Sequence, residues 1–244
     1  MANRTLIILA ASLFALTVLV RAPARWLLAA APHEVICTLP QGSIWSGSCN
    51  QLRVSATELT DVSWTMHAVP LLLAHLDVDL RSGDARARGM ARVSYRLGGA
   101  VRLRDVELDL PVDSGLLPLF PNGWSGQLQL ALSQVDWGEG RLKAIRGTAT
   151  VHALQQQIPL MPCGNFELRF AEAPAPDGAI SGTLRDLGGP LSVAGTLLVR
   201  NGAEYELNGL VSTRSEATAD LVKVIGFLPT DAQGRSTFSV AGTF

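Results

Sequence analysis

Residues 76–97 read LDVDLRSGDARARGMARVSYRL, with apolar and charged residues alternating on both sides of a short turn sequence. Alternation with a period of two is typical of a β-strand that buries one face. The turn residues Ser82-Gly83 predict a hairpin. The cross-strand charge pairs that this hairpin would form are Asp79 with Arg86 and Asp77 with Arg88. Such pairs contribute roughly 0.2–1 kcal/mol each and help to fix the strand register.

The same alternation continues through most of the chain after residue 42. Gly98-Gly99 and Asn201-Gly202 are turn signals between alternating runs, and Asn-Gly is a strong hairpin signal. The parity of the apolar positions changes near Arg104-Asp105, which indicates a β-bulge or a strong bend. The sequence therefore predicts an all-β fold, a mainly antiparallel, curled meander sheet of many short strands.

One short helix is predicted close to the C-terminal end. Thr213 and Glu216 have the spacing of a capping box, and Gly226 suits the helix end. The apolar stripe of this helix consists of Leu221, Val224, Ile225 and Leu228. We expect the helix to cover the core.

An apolar run, Leu6–Val20, lies between Arg4 and Arg21. At about 1.5 Å per residue it spans roughly 22 Å, and an extension toward Leu28 would reach membrane thickness. We predict an uncleaved N-terminal signal anchor, a transmembrane helix within residues 1–31, followed by a periplasmic β-rich domain at 32–244. The alternative is a secretory signal cleaved after Ala29-Ala30-Ala31, where the following Pro32 is unfavourable.

Three cysteines bear on the compartment. Cys37 and Cys49 are twelve residues apart and have no neighbouring ligands at zinc spacing. In an oxidising compartment a disulfide between them would add about 3 kcal/mol and pin the first strand. The alternative is two reduced, half-buried cysteines. Cys163 is expected to be buried and unreactive, with pairing to a partner chain as the alternative.

Residues 32–244 are enough for one large β domain or two small ones. Trp45-Ser46-Gly47 recurs as Trp124-Ser125-Gly126, which suggests two related units at 42–118 and 121–244. The formal net charge of −1 gives no field that would attract nucleic acid. We expect no nucleic-acid partner.

No motif in the sequence carries catalysis or binds a cofactor. The histidines His33, His67, His75 and His152 are scattered, and Walker-type and Gly-x-Ser-x-Gly motifs are absent. We expect no enzyme, no metal and no cofactor. One basic strip stands out, formed by Arg86, Arg88, Arg92 and Arg96. Such a strip is commonly a solvated face; the alternative is a docking surface for an acidic partner or lipid headgroups.

Several segments, in order, resemble protein N of the bacterial type II secretion system, the general secretion pathway N family. The matching elements are Arg21-x-Pro23-Ala24-x-Trp26-Leu27, Gly42-Ser43-Ile44-Trp45-Ser46-Gly47, Val62-Ser63-Trp64 with Pro70-x-Leu72-Leu73, Gly126-x-Leu128, Gly195-Thr196-Leu197 with Tyr205, and Val224-Ile225-Gly226 with Gly234-Arg235. Trp45, Gly47, Trp64 and Pro70 are its structural motif residues. We expect Trp45 and Trp64 to anchor the core of the first unit.

The resemblance implies a single-pass inner-membrane protein with a periplasmic domain, accessory to the export of folded proteins across the outer membrane. It implies other inner-membrane secretion proteins as partners, with the outer-membrane secretin as a further candidate. Two mechanisms fit. The domain is a scaffold whose exposed sheet edges could accept a partner strand, or its strands form an apolar groove that holds lipid.

Overall fold

One antiparallel sheet of 13 strands runs through the computed structural model, which describes residues 10, 13–14, 17–18, 20–29, 35–54, 57–68, 70, 75–84, 87–96, 98–112, 123–173, 178–233 and 235–243. The strands are β1 Val35–Gly42, β2 Ser46–Val54, β3 Thr57–His67, β4 His75–Asp84, β5 Ala87–Arg96, β6 Ala100–Pro111, β7 Trp124–Gly138, β8 Arg141–Gln156, β9 Met161–Phe170, β10 Ile180–Asp186, β11 Leu191–Arg200, β12 Glu204–Thr213 and β13 Ser236–Thr243. The helices whose bounds fall within the described residues are α1 Ala24–Ala29 and α2 Ala219–Ile225, and both are short.

Each strand pairs with its neighbours in the chain, from β1 to β13. The predicted antiparallel meander is confirmed. The prediction of short strands is wrong for the middle of the sheet, where β7 has 15 residues and β8 has 16. Three register irregularities interrupt the β7–β8 pairing. Such irregularities bend and twist a strand locally, so a long pair can follow a curled sheet without breaking.

The β4–β5 hairpin was predicted with the wrong register. Asp79 faces Arg92 rather than Arg86, and Asp77 faces Ser94 rather than Arg88. The reason is that β4 continues to Asp84, whose carboxylate accepts a hydrogen bond from the Thr60 backbone N–H at 2.7 Å. The shift is an even number of residues, so every side chain keeps the face that alternation predicted.

The bulge predicted at Arg104-Asp105 is present. The β5–β6 register shifts between Met90 and Arg92, and Asp105 has a φ of 50°. Beyond the bulge Leu108 faces Gly89, a position at which a Cβ atom would overlap the Glu107 carbonyl oxygen. The bulge therefore moves the apolar positions of β6 from odd to even numbers while keeping them on one side of the sheet.

The hairpin predicted at Asn201-Gly202 is also present. Arg200 pairs with Glu204, and both Asn201 and Gly202 have positive φ. β13 then pairs with β12 over its whole length without a register shift.

The predicted start of the C-terminal helix is wrong. Thr213 ends β12, and the N-cap is Thr218, whose side chain accepts a hydrogen bond from the Leu221 N–H at 3.3 Å. Thr213 and Glu216 have the spacing of a capping box, but no helix begins there. Thr213 instead pairs with Leu191 as the last residue of β12. Gly226 is the C-cap, as predicted.

The core lies on one side of the sheet, the apolar face, which carries Trp64, Leu80, Val93, Leu103 and Leu130. Buried clusters follow this face from β2 to β12, and Leu59, Trp124 and Leu154 each pack against two of them. Leu221 of α2 is 3% exposed and packs beside Val193 and Val211. The expectation that this helix covers the core is confirmed.

Most of the predicted membrane segment, Leu6–Val20, lies outside the described residues. Within the residues that are described, no helix is both long and apolar enough to cross a membrane. The division into units at 42–118 and 121–244 remains a prediction, and the sheet crosses that boundary because β6 pairs with β7.

Candidate functional site

β2 and β3 approach each other closely at Gly47 and Trp64, two of the four motif residues Trp45, Gly47, Trp64 and Pro70. Gly47 lies directly opposite Trp64. A Cβ atom at Gly47 would lie 2.5 Å from Cζ2 of Trp64, so only glycine fits without a shift. The Trp64 indole is 8% exposed and donates its Nε1–H to the Ile44 carbonyl at 3.2 Å. Burial with a satisfied N–H makes this indole a strong packing anchor.

The other two motif residues take less central positions. Trp45 is half-buried and is not a member of the buried cluster around Trp64 within the described residues. Its backbone N–H bonds to the Ser43 hydroxyl at 3.2 Å and its carbonyl accepts from the Met66 N–H at 2.6 Å. Pro70 is half-buried at the wall of a cavity. Of the four motif residues, only Gly47 and Trp64 therefore face each other across paired strands.

The segment before β1 docks beside Trp64. The Ile44 N–H donates to the Ala22 carbonyl at 3.0 Å, and Pro23 forms an antiparallel bridge with Ser43. Ala24 is 2% exposed and packs with Trp64. Two sequence elements that resemble the family, around Pro23 and around Trp45, are thus in contact. The contact fixes the direction in which residues 21–26 leave the sheet.

The predicted disulfide joins Cys37 of β1 to Cys49 of β2, with a Cα–Cα distance of 5.8 Å. Cys49 is 1% exposed and belongs to the same buried cluster as Trp64 and Ala24. The bridge therefore ties the edge strand β1 to the core, as expected. Cys163 is free and buried, and burial raises the pKa of its thiol. The expected burial of Cys163 is confirmed, and its lack of reactivity remains a prediction.

The opposite side of the sheet, the charged face, is organised by ion pairs. Asp79 accepts hydrogen bonds from His67 at 2.9 Å and Arg92 at 2.8 Å. These two bonds hold the pKa of Asp79 below its usual range, and the bond from His67 has the larger effect. Asp79 in turn raises the pKa of Arg92. Arg92 also approaches Asp105 at 3.4 Å. His75 and His152 likewise bond to polar side chains, those of Arg96 and Gln129.

A second set of bonds continues across the charged face. Arg102 donates two hydrogen bonds to Asp136, at 2.6 and 3.1 Å. Gln134 donates to the same carboxylate at 2.7 Å and accepts from Arg146 at 3.3 Å. Burial alone would raise the pKa of Asp136, but the bonds from Arg102 and Gln134 outweigh it and the pKa is lowered. Farther along, Glu167 pairs with Arg185 at 2.9 Å.

The predicted docking strip is part of this face, but it is not a run of free cations. Arg92 is bonded to acids on both sides, and Arg96 donates to His75 at 3.0 Å. Arg88 is exposed, and Arg86 lies outside the described residues. The prediction considered only arginines that follow one another along the sequence. The sheet adds the aspartates of the neighbouring strands, so the face carries mixed charge.

A cavity of about 560 Å³ opens at one end of this region. Its walls include Asp77, Arg96, Arg102, Asp136 and Lys143. Both signs of charge are present, and Arg102 and Lys143 are already bonded to Asp136 and to Glu139, the latter at 2.8 Å. Among the described residues no group of His, Cys, Asp and Glu could hold a metal ion.

On the apolar face, side chains near the same end of the strands are only partly covered. Tyr95 faces Val101, which in turn faces Trp137. Tyr95 is 39% exposed and Trp137 is 41% exposed. Between the described elements, α1 packs on β1 and α2 on β9 and β12. Among the described elements, no helix packs on the apolar face of the central strands at this end.

Two polar contacts that hold the ends of strands were not predicted. Asp84 is 6% exposed, and its carboxylate accepts from Thr60. Arg214 donates to Asp186 and to the carbonyls of Gly189 and Leu191, at 2.5, 2.9 and 2.9 Å. Both depend on residues far apart in sequence. No local pattern could have indicated them.

Comparison with known proteins identifies one family. A family model described as "Type II secretion system (T2SS), protein N" matches residues 33–239. No solved structure matches the chain at a significant level.

Three curated relatives carry the name "Type II secretion system protein N". The Vibrio cholerae protein is 31% identical over 135 residues, which is 53% of this chain and 53% of that relative. The Aeromonas hydrophila protein is 27% identical over 80% of this chain and 79% of the relative. The Pectobacterium carotovorum protein is 25% identical over 91% of this chain and 89% of the relative. The chain thus aligns with about half the length of the first relative and most of the other two.

Proposed function

This chain belongs to the type II secretion system protein N family, and on that premise we propose that it is an inner-membrane component of the secretion machine. In this proposal residues 1–31 contain the single-pass anchor and the sheet lies in the periplasm. The sheet is a scaffold that contacts other secretion proteins while folded proteins cross the outer membrane. The disulfide between Cys37 and Cys49 supports an oxidising compartment such as the periplasm.

The observation that carries the scaffold role is the ordered charged face. Its side chains are held in place by ion pairs, of which Arg92 with Asp79 and Arg102 with Asp136 are the main examples. A surface whose charges are already positioned loses little side-chain freedom when a partner binds. Mixed charge also selects a partner with the complementary pattern and raises the association rate.

Met90 is the place to test this role. It is 43% exposed and its neighbours on the same strand face are Arg88 and Arg92. The experiment replaces Met90 with a photoreactive phenylalanine derivative in cells that produce the whole secretion system. The matched control places the same probe at Ile158, which is 86% exposed in the turn between β8 and β9.

We expect illumination to cross-link the Met90 variant to another secretion component, and the Ile158 variant to give none. A deletion of the chain should also lower the amount of folded protein that reaches the medium. The scaffold role is wrong if Met90 gives no cross-link to any secretion component and the deletion leaves export unchanged.

A second function is favoured by the open end of the apolar face. Tyr95 and Trp137 expose about two fifths of their surface there, and aromatic side chains at such a position suit an acyl chain. In this alternative the sheet is a groove that carries phospholipid or lipopolysaccharide. Mass spectrometry of the chain purified from gently solubilised membranes separates the two functions. One lipid per chain in the wild type, lost in a Trp137→Glu variant, favours the groove; secretion proteins without lipid favour the scaffold.

A further inference from the structure

Among the described residues, the outer edge of β13 has a covered half and an open half. At its start the Thr237 N–H donates to the Pro229 carbonyl at 2.7 Å, and the Asp231 N–H donates to the Arg235 carbonyl at 2.8 Å. Thr230 also forms a bridge with Ser236. The segment 229–231 therefore covers the first residues of the edge. Beyond Thr237, no described strand pairs with this side of β13.

The hydrogen-bonding groups that this open half presents follow from strand geometry. The Thr237 N–H points away from β12, since it bonds to Pro229. Peptide groups of alternate residues in a strand point to the same side. The outward N–H and C=O groups are therefore those of Ser239, Ala241 and Thr243. Those of Val240 point toward β12, where Val240 faces Leu207.

The two edges of the sheet are protected very differently. β1 contains Pro40, a positive φ at Leu39 and the disulfide at Cys37, and α1 packs against it. β13, STFSVAGT, has no proline and no charged residue, and it pairs with β12 without an irregularity. Natural proteins block sheet edges with prolines, bulges, charges or covering elements unless the edge is used. Within the part of the chain that the structure describes, β1 is blocked and the far half of β13 is not.

We propose that the edge Ser239–Thr243 binds an extended segment of another protein by strand addition. The inference rests on the proposed scaffold role and names one contact of that scaffold. The added strand would continue both faces of the sheet. On the apolar face its neighbour is Val240, which is 49% exposed. On the charged face its direct neighbours are the small residues Ala241 and Thr243 of β13. Glu206 and Glu204 lie one strand farther, in β12, opposite those two residues, where a long cationic side chain can reach them. The segment that fits therefore alternates apolar residues with lysine or arginine.

A second copy of the chain fits this edge less well. Two β13 strands paired antiparallel about Ala241, with their apolar faces on one side, would bring Glu204 and Glu206 of both copies to one surface. The nearby cation Arg200 already bonds to Glu206 at 2.7 Å. Although the two β13 strands would separate these glutamates, a second copy adds negative charge to this surface and no cation that is not already bonded. A partner that supplies cations offsets this negative charge.

The test uses the purified full chain in detergent micelles and fluorescent peptides as probes. The first peptide alternates valine with lysine or arginine, VKVRVKV; the second replaces its cations with glutamate, VEVEVEV. We expect the first to bind at least about tenfold more tightly than the second, as read by fluorescence anisotropy. Ala241→Pro removes an outward N–H that β12 does not use, so the fold should tolerate it. This variant should weaken binding of VKVRVKV about tenfold or more.

A second variant changes a charge and leaves the backbone of β13 intact, so it tests the charge preference separately from Ala241→Pro. Glu204→Lys should weaken binding of VKVRVKV, whereas Glu172→Lys, the same change at an exposed residue away from the edge, should not. The inference is overturned if the wild type binds neither peptide, if Ala241→Pro binds like the wild type, or if Ala241→Pro abolishes a dimer seen by sedimentation. Met90 cross-links that persist after such a result would leave the scaffold standing and remove only its β13 contact.

Discussion

Gly47 and Trp64 face each other across the β2–β3 pair, and the indole ring occupies the space that a side chain at position 47 would need. The Trp64 indole N–H is bonded to Ile44, so the ring cannot rotate away without losing that bond. One glycine and one tryptophan thus fix how the first hairpin meets the next strand and where residues 21–26 dock.

Gly47→Ala should therefore destabilise the fold by about 1–3 kcal/mol, because the added methyl group must displace a buried ring. Chemical denaturation followed by tryptophan fluorescence measures the change. Gly83→Ala is the matched control, since a Cβ atom there would meet Asp61 Cβ at an ordinary 3.4 Å. Equal midpoints for the two variants would contradict the steric argument.

The two tryptophans of the motif should differ in their effect on stability. Trp64→Ala removes a ring that is 8% exposed and should cost about 3–5 kcal/mol. Trp45→Ala removes a half-buried side chain outside that cluster and should cost less. Thermal unfolding followed by circular dichroism gives both values. A larger loss for Trp45→Ala would show that Trp45, and not Trp64, is the main packing anchor of the first hairpin.

The disulfide should contribute about 3 kcal/mol to the free energy of unfolding, the amount that the chain-entropy model gives for a short loop. The paired variant Cys37→Ser with Cys49→Ser should lose this amount, and Cys163→Ser should leave the effect of reductant unchanged. Thiol titration of the unreduced, denatured chain should find one thiol, and three after reduction. Three thiols before reduction would show that the bridge is absent in the cell.

Asp186 and Arg214 predict a pH dependence of stability. Burial raises the pKa of Asp186, but bonds from Arg214 and from the N–H groups of Val193 and Gly188 outweigh it, so the pKa lies below the ordinary 3.8. A lowered pKa in the folded chain means that the carboxylate stabilises the fold above the unfolded pKa. This contribution is lost as the pH falls through the folded value.

Asp186→Asn should consequently cost roughly 1–2 kcal/mol at neutral pH, and the difference from the wild type should shrink below about pH 4. Urea denaturation at several pH values measures the difference. Asp61→Asn is the control, because Asp61 is exposed and its positive φ is tolerated by asparagine. A difference for Asp186→Asn that stays constant down to pH 3 would contradict the assigned role.

Several features could be predicted from short patterns. The alternation in residues 76–97 predicted the strands and assigned each side chain to its face. The change of parity at Arg104-Asp105 predicted the bulge, and Asn201-Gly202 predicted a hairpin. Each of these depends on residues adjacent in sequence, so local sterics and burial are sufficient to specify it.

Features that depend on distant residues were not predicted correctly. The β4–β5 turn comes later than Ser82-Gly83 because Asp84 bonds to Thr60 in another strand. The N-cap is Thr218 rather than Thr213 because β11 pairs with Thr213. The arginine strip is neutralised at Arg92 by Asp79, which belongs to the neighbouring strand.

The sequence by itself determined the strands, the side of the sheet that each residue occupies, and the family resemblance now supported by the match over residues 33–239. Alternation encodes these because a side chain's face depends only on its position along its own strand. Only the tertiary structure decided which residues are neighbours: Gly47 against Trp64, Asp79 against Arg92, and a covered and an open half of the β13 edge. Register and edge exposure depend on other strands, and no single strand carries that information.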